Sequence, residues 1–415
     1  MSSPLLVSYT RPLRQAVGRL CAIAACILIG ACANQPTKLV EPAVPEPPPA
    51  PHQLSTEAPN FVKLANLPAG VTPVRVGVIL PFDNSNASVR ALAKSMMQAA
   101  ELALYDSGNR AIVLMTAEDT GTPADAAAAA TKLLNEGAEI IVGPLFSGSV
   151  EAVAPIARDR GVPVLAFSTD RKVAGAGIYL LSFQPQNEVK RIVSYAASQG
   201  HKKIGALIPQ TPYGDVVEQS FADAVKESGA SVCAVAKFSP SVGALTDPAA
   251  TIAKAGCDAI LVPQGGSLLR GLAQTLAYSN VDPAKVKFLG TGLWYEPSSQ
   301  KEGLLSGAWF AAPQPSLDDA FNAKYRATFG GEPPQLASLA YDAVSLVALL
   351  ANGTPYHRFT QRAITDPNGF AGVSGIFRFR TDGSIDRGLA VLSVEPSGFT
   401  VVNPAPETFQ AGPRS

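Results

Sequence analysis

The chain has 415 residues with 33 basic and 33 acidic side chains, is 47% hydrophobic and only 16% charged. That composition excludes a disordered or fibrous chain, because disorder needs low hydrophobicity and high net charge. The balanced charge leaves no global field for phosphate, which argues against nucleic acid as the main partner. The histidines, His52, His201 and His357, lie far apart, so no multi-histidine metal site and no cofactor is expected. Single cores stop growing at roughly 250 to 300 residues, so a chain of this length divides into lobes.

Residues 1–31 carry Arg11, Arg14 and Arg19, no acidic residue, and an apolar run over 20–31 that is short for a membrane span. The run closes on Ile29-Gly30-Ala31-Cys32, which resembles the lipobox of bacterial lipoproteins: an aliphatic residue, two small ones, then the cysteine that takes the lipid. The resemblance implies a signal peptide over 1–31, lipidation of Cys32 and anchoring to a membrane through the acyl chains. Ala33, rather than aspartate, follows the cysteine, which implies sorting to the periplasmic face of the outer membrane. Between Pro36 and Pro59 the chain holds eight prolines. Such a stretch favours extended polyproline II and builds no core, so 32–73 is expected to be a lipidated, semi-rigid tether.

From residue 74 short apolar runs alternate with amphipathic stretches. Strands are predicted over 74–80, 111–115, 139–142 and 162–167. Between the first two, Val89, Leu92, Met96, Ala99 and Ala103 share one helical face, and 122–136 and 147–160 supply two more helices. Parallel strands need crossover helices, so the pattern predicts an α/β fold with a doubly wound sheet. The pattern restarts with strands over 204–208, 231–236, 258–262 and 286–289, followed by helices over 317–329 and 336–351 and a strand-rich tail from Ile376. Val76-Gly77-Val78-Ile79-Leu80-Pro81 matches Ile204-Gly205-Ala206-Leu207-Ile208-Pro209, 128 residues later, as two lobes of like architecture would require.

In open α/β sheets ligands bind beyond the carboxyl ends of the strands. The loop after the first strand, Pro81-Phe82-Asp83-Asn84-Ser85-Asn86, lacks the glycines that let backbone approach a pyrophosphate. No G-x-S-x-G elbow exists, and Ser147-Gly148-Ser149 has no histidine in a comparable loop to act as base. The carboxylates Asp83, Asp170, Asp215 and Glu296 read more readily as helix caps or rim charges than as general acids. The loops do offer the neutral groups of Ser147, Ser149, Ser168, Thr169, Gln210, Thr211 and Tyr213. With helix N-terminal amides these suit a small polar ligand without chemistry, while capping is the competing role for Ser147 and Thr211. No catalytic residue is assigned.

Arg75 to Pro81, Glu118-Asp119, Glu139-Ile140-Ile141-Val142-Gly143-Pro144, Gly161-Val162-Pro163-Val164-Leu165 and Tyr213-Gly214 together resemble the type I periplasmic binding fold, and within it the leucine-binding group. The resemblance implies two doubly wound lobes joined by three crossovers, near 182–186, 311–314 and 351–356, with a ligand cleft between. Lobe 1 is then 74–184 plus 314–352, lobe 2 is 185–313 plus 353–402, and 403–415 is a tail. It also implies that Ser147 or Ser149 and Ser168 or Thr169 hold a ligand carboxylate while Tyr213 packs on the ligand. Relatives that bind amino acids carry an acidic residue where this chain has Thr291-Gly292, a departure that bears on specificity, because a buried ammonium without a carboxylate is costly. Trp294, Tyr295 and Glu296 follow; Trp294 and Tyr295 either line the cleft or a contact surface at its rim, or belong to the lobe core.

The lipobox and the strand, proline and Asn/Ser-rich loop over 78–86 are similar to the lipoprotein activators of penicillin-binding proteins, although this chain lacks the helical-repeat domain some of them carry. Two functions of different class stand open. One is a lipoprotein that contacts a peptidoglycan synthase, the other a receptor delivering an amino acid or amide to an importer, with a wall fragment as a further candidate ligand. Cys233 and Cys257 would be the cysteines left after cleavage and lipidation, and sit near the starts of consecutive strands, where they either bridge or remain thiols. Replacing Cys32 with Ala is expected to release a folded protein into the soluble periplasm. Intact-mass measurement of the wild-type chain should show the acyl mass, and its absence would remove the anchor.

Overall fold

Parallel pairing buries a strand on both faces, and the first sheet is built from such strands. In the computed structural model, which describes residues 58–64 and 66–410, β2 (Val74–Val78) is buried at all five positions. It lies between β3 (Ile112–Thr116) and β4 (Ile140–Val142), and β5 (Val164–Ala166) and β6 (Ile178–Leu180) extend the sheet, all in parallel. A short β1 (Phe61–Lys63) adds an antiparallel edge on β3, giving the order β1-β3-β2-β4-β5-β6. The tether expected over 32–73 therefore ends before Phe61; the leader, Cys32 and most of the tether lie outside the described residues.

The helices begin and end where local chemistry permits. Asn86 accepts the Ser88 N–H to start α1 (Ala87–Ser107), and Gly108 ends it with φ at 60°, a left-handed conformation that favours glycine. Thr122 caps α2 (Pro123–Asn135), with Pro123 pre-set for the first turn. α3 (Ser147–Asp159) follows β4, and α4 (Pro185–Ser198) follows β6.

The second sheet has the order β15-β14-β11-β10-β9-β7-β8. Its parallel part is β7 (Lys203–Pro209), β8 (Ser231–Phe238), β9 (Ala259–Leu261), β10 (Lys287–Gly290) and β11 (Trp309–Ala312), interleaved with α5 (Pro212–Glu227), α6 (Thr246–Lys254), α7 (Gly266–Tyr278) and α8 (Pro297–Gln300). α9 (Pro315–Phe329), α10 (Ala337–Leu350) and α11 (Gln361–Ile364) then return the chain to the first sheet, and β12 (Phe377–Phe379) pairs with β13 (Ile385–Arg387). β14 (Ala390–Glu395) and β15 (Gly398–Asn403) form an antiparallel hairpin on the edge of β11. Each sheet is covered on both faces, which gives four apolar cores.

The chain leaves the first sheet after β6, returns after β11 and leaves again after β13. The last passage falls later than expected. Phe359, Ile364, Phe377, Phe379 and Ile385 pack in the same core as Val74 and α10, so residues 353–385 stay with the first lobe rather than opening the second. The buried Arg358–Glu139 pair holds this segment down at 3.2 Å, and the Glu139 carboxylate also accepts the Tyr356 N–H at 2.7 Å. Nor is the segment after 403 a free tail within the described residues, since Arg191 donates to Asn403 and to the Pro404 carbonyl, and Arg378 lies over the Phe409 ring.

Cys233 on β8 and Cys257 before β9 form a disulfide, with Cα atoms 5.6 Å apart. It closes a loop of 24 residues on the sheet's outer strand, and by chain entropy such a loop contributes about 3 kcal/mol. The double variant Cys233→Ser/Cys257→Ser should unfold at lower denaturant by that order, while free-thiol titration of the unfolded, unreduced wild type finds no thiol from this pair.

Candidate functional site

The loops at the carboxyl ends of β7 and β10 meet in the second lobe. Thr211 caps α5 by accepting the Gly214 N–H, which fixes the first turn and puts Tyr213 over the sheet end. The Tyr213 hydroxyl lies 3.1 Å from the Thr291 hydroxyl, and Thr291, directly after β10, is fully buried. A third group comes from outside these loops. Glu188, on the first turns of α4, is 8% exposed, and its Oε2 accepts the Gly292 N–H at 3.1 Å. A Cβ on Gly292 would lie 2.8 Å from Glu188 Oε1, so the approach needs a glycine there.

Burial pushes the Glu188 carboxyl up to about 7, against the Gly292 N–H, which favours the charged form. Burial and the nearby Glu188 carboxylate both hold the Tyr213 phenol above its ordinary value, so it stays protonated throughout the physiological range. The arrangement is a buried carboxyl that accepts a backbone amide, with the paired Tyr213 and Thr291 hydroxyls in the same cluster.

In the first lobe two of the four candidate hydroxyls are bonded to nearby backbone. Ser149 is 1% exposed and donates to the Gly121 carbonyl at 3.2 Å. The Ser168 hydroxyl accepts the Asp170 N–H at 3.1 Å, and Thr169 is exposed. Ser147 is half-buried on the first residue of α3, where no side chain caps the helix. The loop carboxylates divide in the same way: Glu296 accepts the Gly266 N–H at 2.6 Å, and Asp170 accepts the Lys172 N–H at 3.0 Å.

Trp294 does not line a cleft or a surface. It is fully buried, its indole N–H donates to the Val262 and Gln264 carbonyls, and its ring packs where a Cβ on Gly290 would sit. Tyr295 remains 38% exposed beside Phe399, and Leu293 is 47% exposed. Sequence reasoning missed Glu188. A glutamate early in a helix reads as a dipole-compensating charge, and the available signal was indirect: a glycine, Gly292, at the position where a carboxylate was expected.

Two open α/β lobes joined by three crossovers, with binding groups at the strand ends, define a bilobal ligand-binding protein. The periplasmic binding protein family model matches residues 73–399, and the chain belongs to that family. Its fold is the two-lobed type I form of the leucine-binding proteins. A putative branched-chain amino acid ABC transporter protein from Rhodospirillum rubrum superposes with a TM-score of 0.72 at 20% identity, over 80% of this chain and all (100%) of that one. A Rhodopseudomonas palustris solute-binding protein solved with benzoate gives 0.56 at 18%, over 80% and 97%. Among curated proteins, the chain is 22% identical to the uncharacterized protein RP748 of Rickettsia prowazekii over 146 residues, 35% of this chain and 38% of that protein. It is 29% identical to the penicillin-binding protein activator LpoA of Vibrio cholerae over 92 residues, 21% of this chain and 15% of that protein. The matches thus span well under half of these curated relatives.

Glu188 makes a pH prediction. Its folded value, about 7, lies above the ordinary 4.5, so its contribution to stability is complete below pH 4.5 and is lost as pH rises through 7. The loss is on the order of 3 kcal/mol at 1.36 kcal/mol per unit. Glu188→Gln stays neutral, so it should match wild type at pH 4.5 and be more stable at pH 8; denaturant titration at the two values checks this.

Proposed function

We propose that this protein is a non-enzymatic lipoprotein of the periplasmic face of the outer membrane that contacts a peptidoglycan synthase of the penicillin-binding class and stimulates it. The observation that carries this reading is the stretch similar to LpoA, a penicillin-binding protein activator by name. The lipobox at Cys32 and a proline tether that could extend about 70 Å at the polyproline rise support it. In the first lobe Ser149 and Ser168 are buried and bonded to the backbone of their own lobe, while Ser147 and Thr169 make no side-chain bond among the described residues. An anchor in the outer membrane keeps a receptor away from an inner-membrane permease but leaves a tethered activator within reach of the wall.

The contact surface we assign is the exposed pair Leu293 and Tyr295 at the end of β10, since aromatic residues are enriched where binding energy concentrates. The buried Trp294 holds that turn in place from beneath. A second reading, a receptor for an amino acid or amide serving an importer, draws support from the solute-binding relatives in fold and from the Glu188, Tyr213 and Thr291 cluster.

The test is to add residues 33–415 to the bifunctional synthases of the same cell and follow glycan polymerisation and crosslinking. Stimulation of one synthase is expected, reduced several-fold by Leu293→Ala with Tyr295→Ala. An unchanged rate with every synthase, together with tight binding of a free amino acid, would move the assignment to the receptor.

A further inference from the structure

A guanidinium carries five N–H donors, and out of water it needs acceptors for them as well as a counter-charge. Arg387 has the counter-charge but not the bonds. Its side chain has no exposure, and none of Nε, Nη1 and Nη2 finds a hydrogen-bond partner among the described residues. Asp342 Oδ2 stands 3.7 Å from Nη1, beyond hydrogen-bond reach, and is itself buried without a partner. The second carboxyl, Asp318, is turned to Ser374, whose hydroxyl donates to its Oδ1 at 2.6 Å and lies 2.9 Å from the Ser338 hydroxyl. The interior therefore holds two carboxyls and one cation, with no hydrogen bond joining the cation to either.

We propose that Arg387, Asp318 and Asp342 form a proton-linked latch where the three passages meet: the arrangement described here holds one carboxyl proton, and a second arrangement, in which the passages part and water reaches the carboxyls, releases it. The location carries the argument. Phe183, in the first passage, puts its ring centre 4.7 Å from the guanidinium, Asp318 stands on the first turn of α9 after the second passage, and Arg387 ends β13 before the third. A shift of any passage moves a member of the cluster. One cation balances one ionised carboxyl, so in the closed interior the other keeps a proton or becomes a bare negative charge. Water between the passages removes that demand by solvating both. The 3.7 Å gap lets the cluster give, because no hydrogen bond to Arg387 has to break first. The latch rests neither on contact with a synthase nor on the Glu188 cluster, so each can fail alone.

Linkage sets the direction. Burial pushes Asp318 and Asp342 each up to about 6, from an ordinary 3.8, and Arg387 opposes the rise. Protonation therefore favours the described arrangement fully below pH 3.8, and that preference is lost as pH rises through 6. For one proton the balance moves about tenfold toward parting between pH 5 and pH 8. The other groups that face the carboxyls are Asp319, exposed on α9, and the Tyr295 and Tyr341 phenols, which burial holds above their ordinary value and so protonated in that window. Behind Tyr341, Asp106 is paired with Lys324 at 2.9 Å. Glu188, pushed up to about 7 on α4 beside the first passage, is taken out of the reading by Glu188→Gln.

The experiment uses residues 33–415 carrying Glu188→Gln, with fluorophores on Lys132→Cys of α2 and Tyr278→Cys at the end of α7, exposed positions in the first and second lobe. Energy transfer in solution should report two states whose ratio moves about tenfold between pH 5 and pH 8, away from the described arrangement at the higher pH. Asp318→Asn and, separately, Asp342→Asn leave one carboxyl for one cation, so each should fold and lose the pH response, staying in the described arrangement. Infrared spectra of the unlabelled protein at pH 5 should contain the carbonyl stretch of a protonated carboxyl that either substitution removes. A state ratio unchanged by pH, which is read without either substitution, overturns the latch. So does a pH response that survives both substitutions, or a carboxyl band that neither removes.

Discussion

The two sheets are held to one another by a chain that passes between them three times, and a buried arginine sits where those passages converge. Arg387 ends β13, just before the last passage into β14, and its side chain has no exposure. Its guanidinium lies 4.7 Å from the ring centre of Phe183, in the first passage, and 5.4 Å from that of Phe377. Asp342 on α10 approaches it at 3.7 Å, and Asp318, on the first turn after the second passage, acts on the same guanidinium, so two carboxyls face one cation. Burial raises both aspartates, and the arginine opposes the rise. Removing one partner of such a pair leaves a bare charge in an apolar setting, which typically costs about 3 to 5 kcal/mol. The backbone is fitted to the carboxylate as well: Val373 donates its N–H to Asp342 at 2.8 Å, and a Cβ on Gly372 would lie 2.5 Å from the same side chain.

The binding cluster inherits its position from this hinge. α4 starts at Pro185, immediately after the first passage, and Asn187 ties it to the Ile385 carbonyl at 2.8 Å, two residues from Arg387. Glu188 is the next residue. The carboxyl that faces Gly292 is therefore one peptide unit from a hydrogen bond that spans the first and last passages. The first turn of α4, and Glu188 with it, is thereby tied to β13 in the first lobe.

Much of this architecture could be read from residue patterns, and the reason is burial. A parallel strand covered on both faces must be apolar at nearly every position, so Val74 to Leu80 or Ile204 to Ile208 stands out against any background. Shorter pieces carried less signal: β1 has three residues, and β6 reads Ile-Tyr-Leu within a turn-rich stretch. The last boundary was misplaced because Phe359 and Ile364 are isolated apolar residues among polar ones, and what shows which lobe they join is contact distant in sequence: packing in the first-lobe core and the Arg358–Glu139 pair, 219 positions apart. Trp294 and Glu188 were hidden for a related cause. Whether an aromatic or an acid near a strand end is surface or interior depends on what packs over it, and for both residues that neighbour is a glycine, Gly290 or Gly292, whose missing side chain is the only trace in the sequence.

The pairing of Gly292 with Glu188 is a departure from what the resemblance implies at the end of β10. The resemblance to the leucine-binding group places an acid directly after β10, on the loop that carries the ligand. Here that position has lost its side chain, and a carboxylate enters the same space from α4, where the hinge controls it. In the first lobe Ser149 and Ser168 bond to the backbone of their own lobe, while Ser147 and Thr169 make no side-chain bond among the described residues. A carboxyl carried on α4 is positioned by the start of that helix, whereas one carried directly after β10 would be positioned by the loop, so the same space is reached from a different element and answers to different constraints.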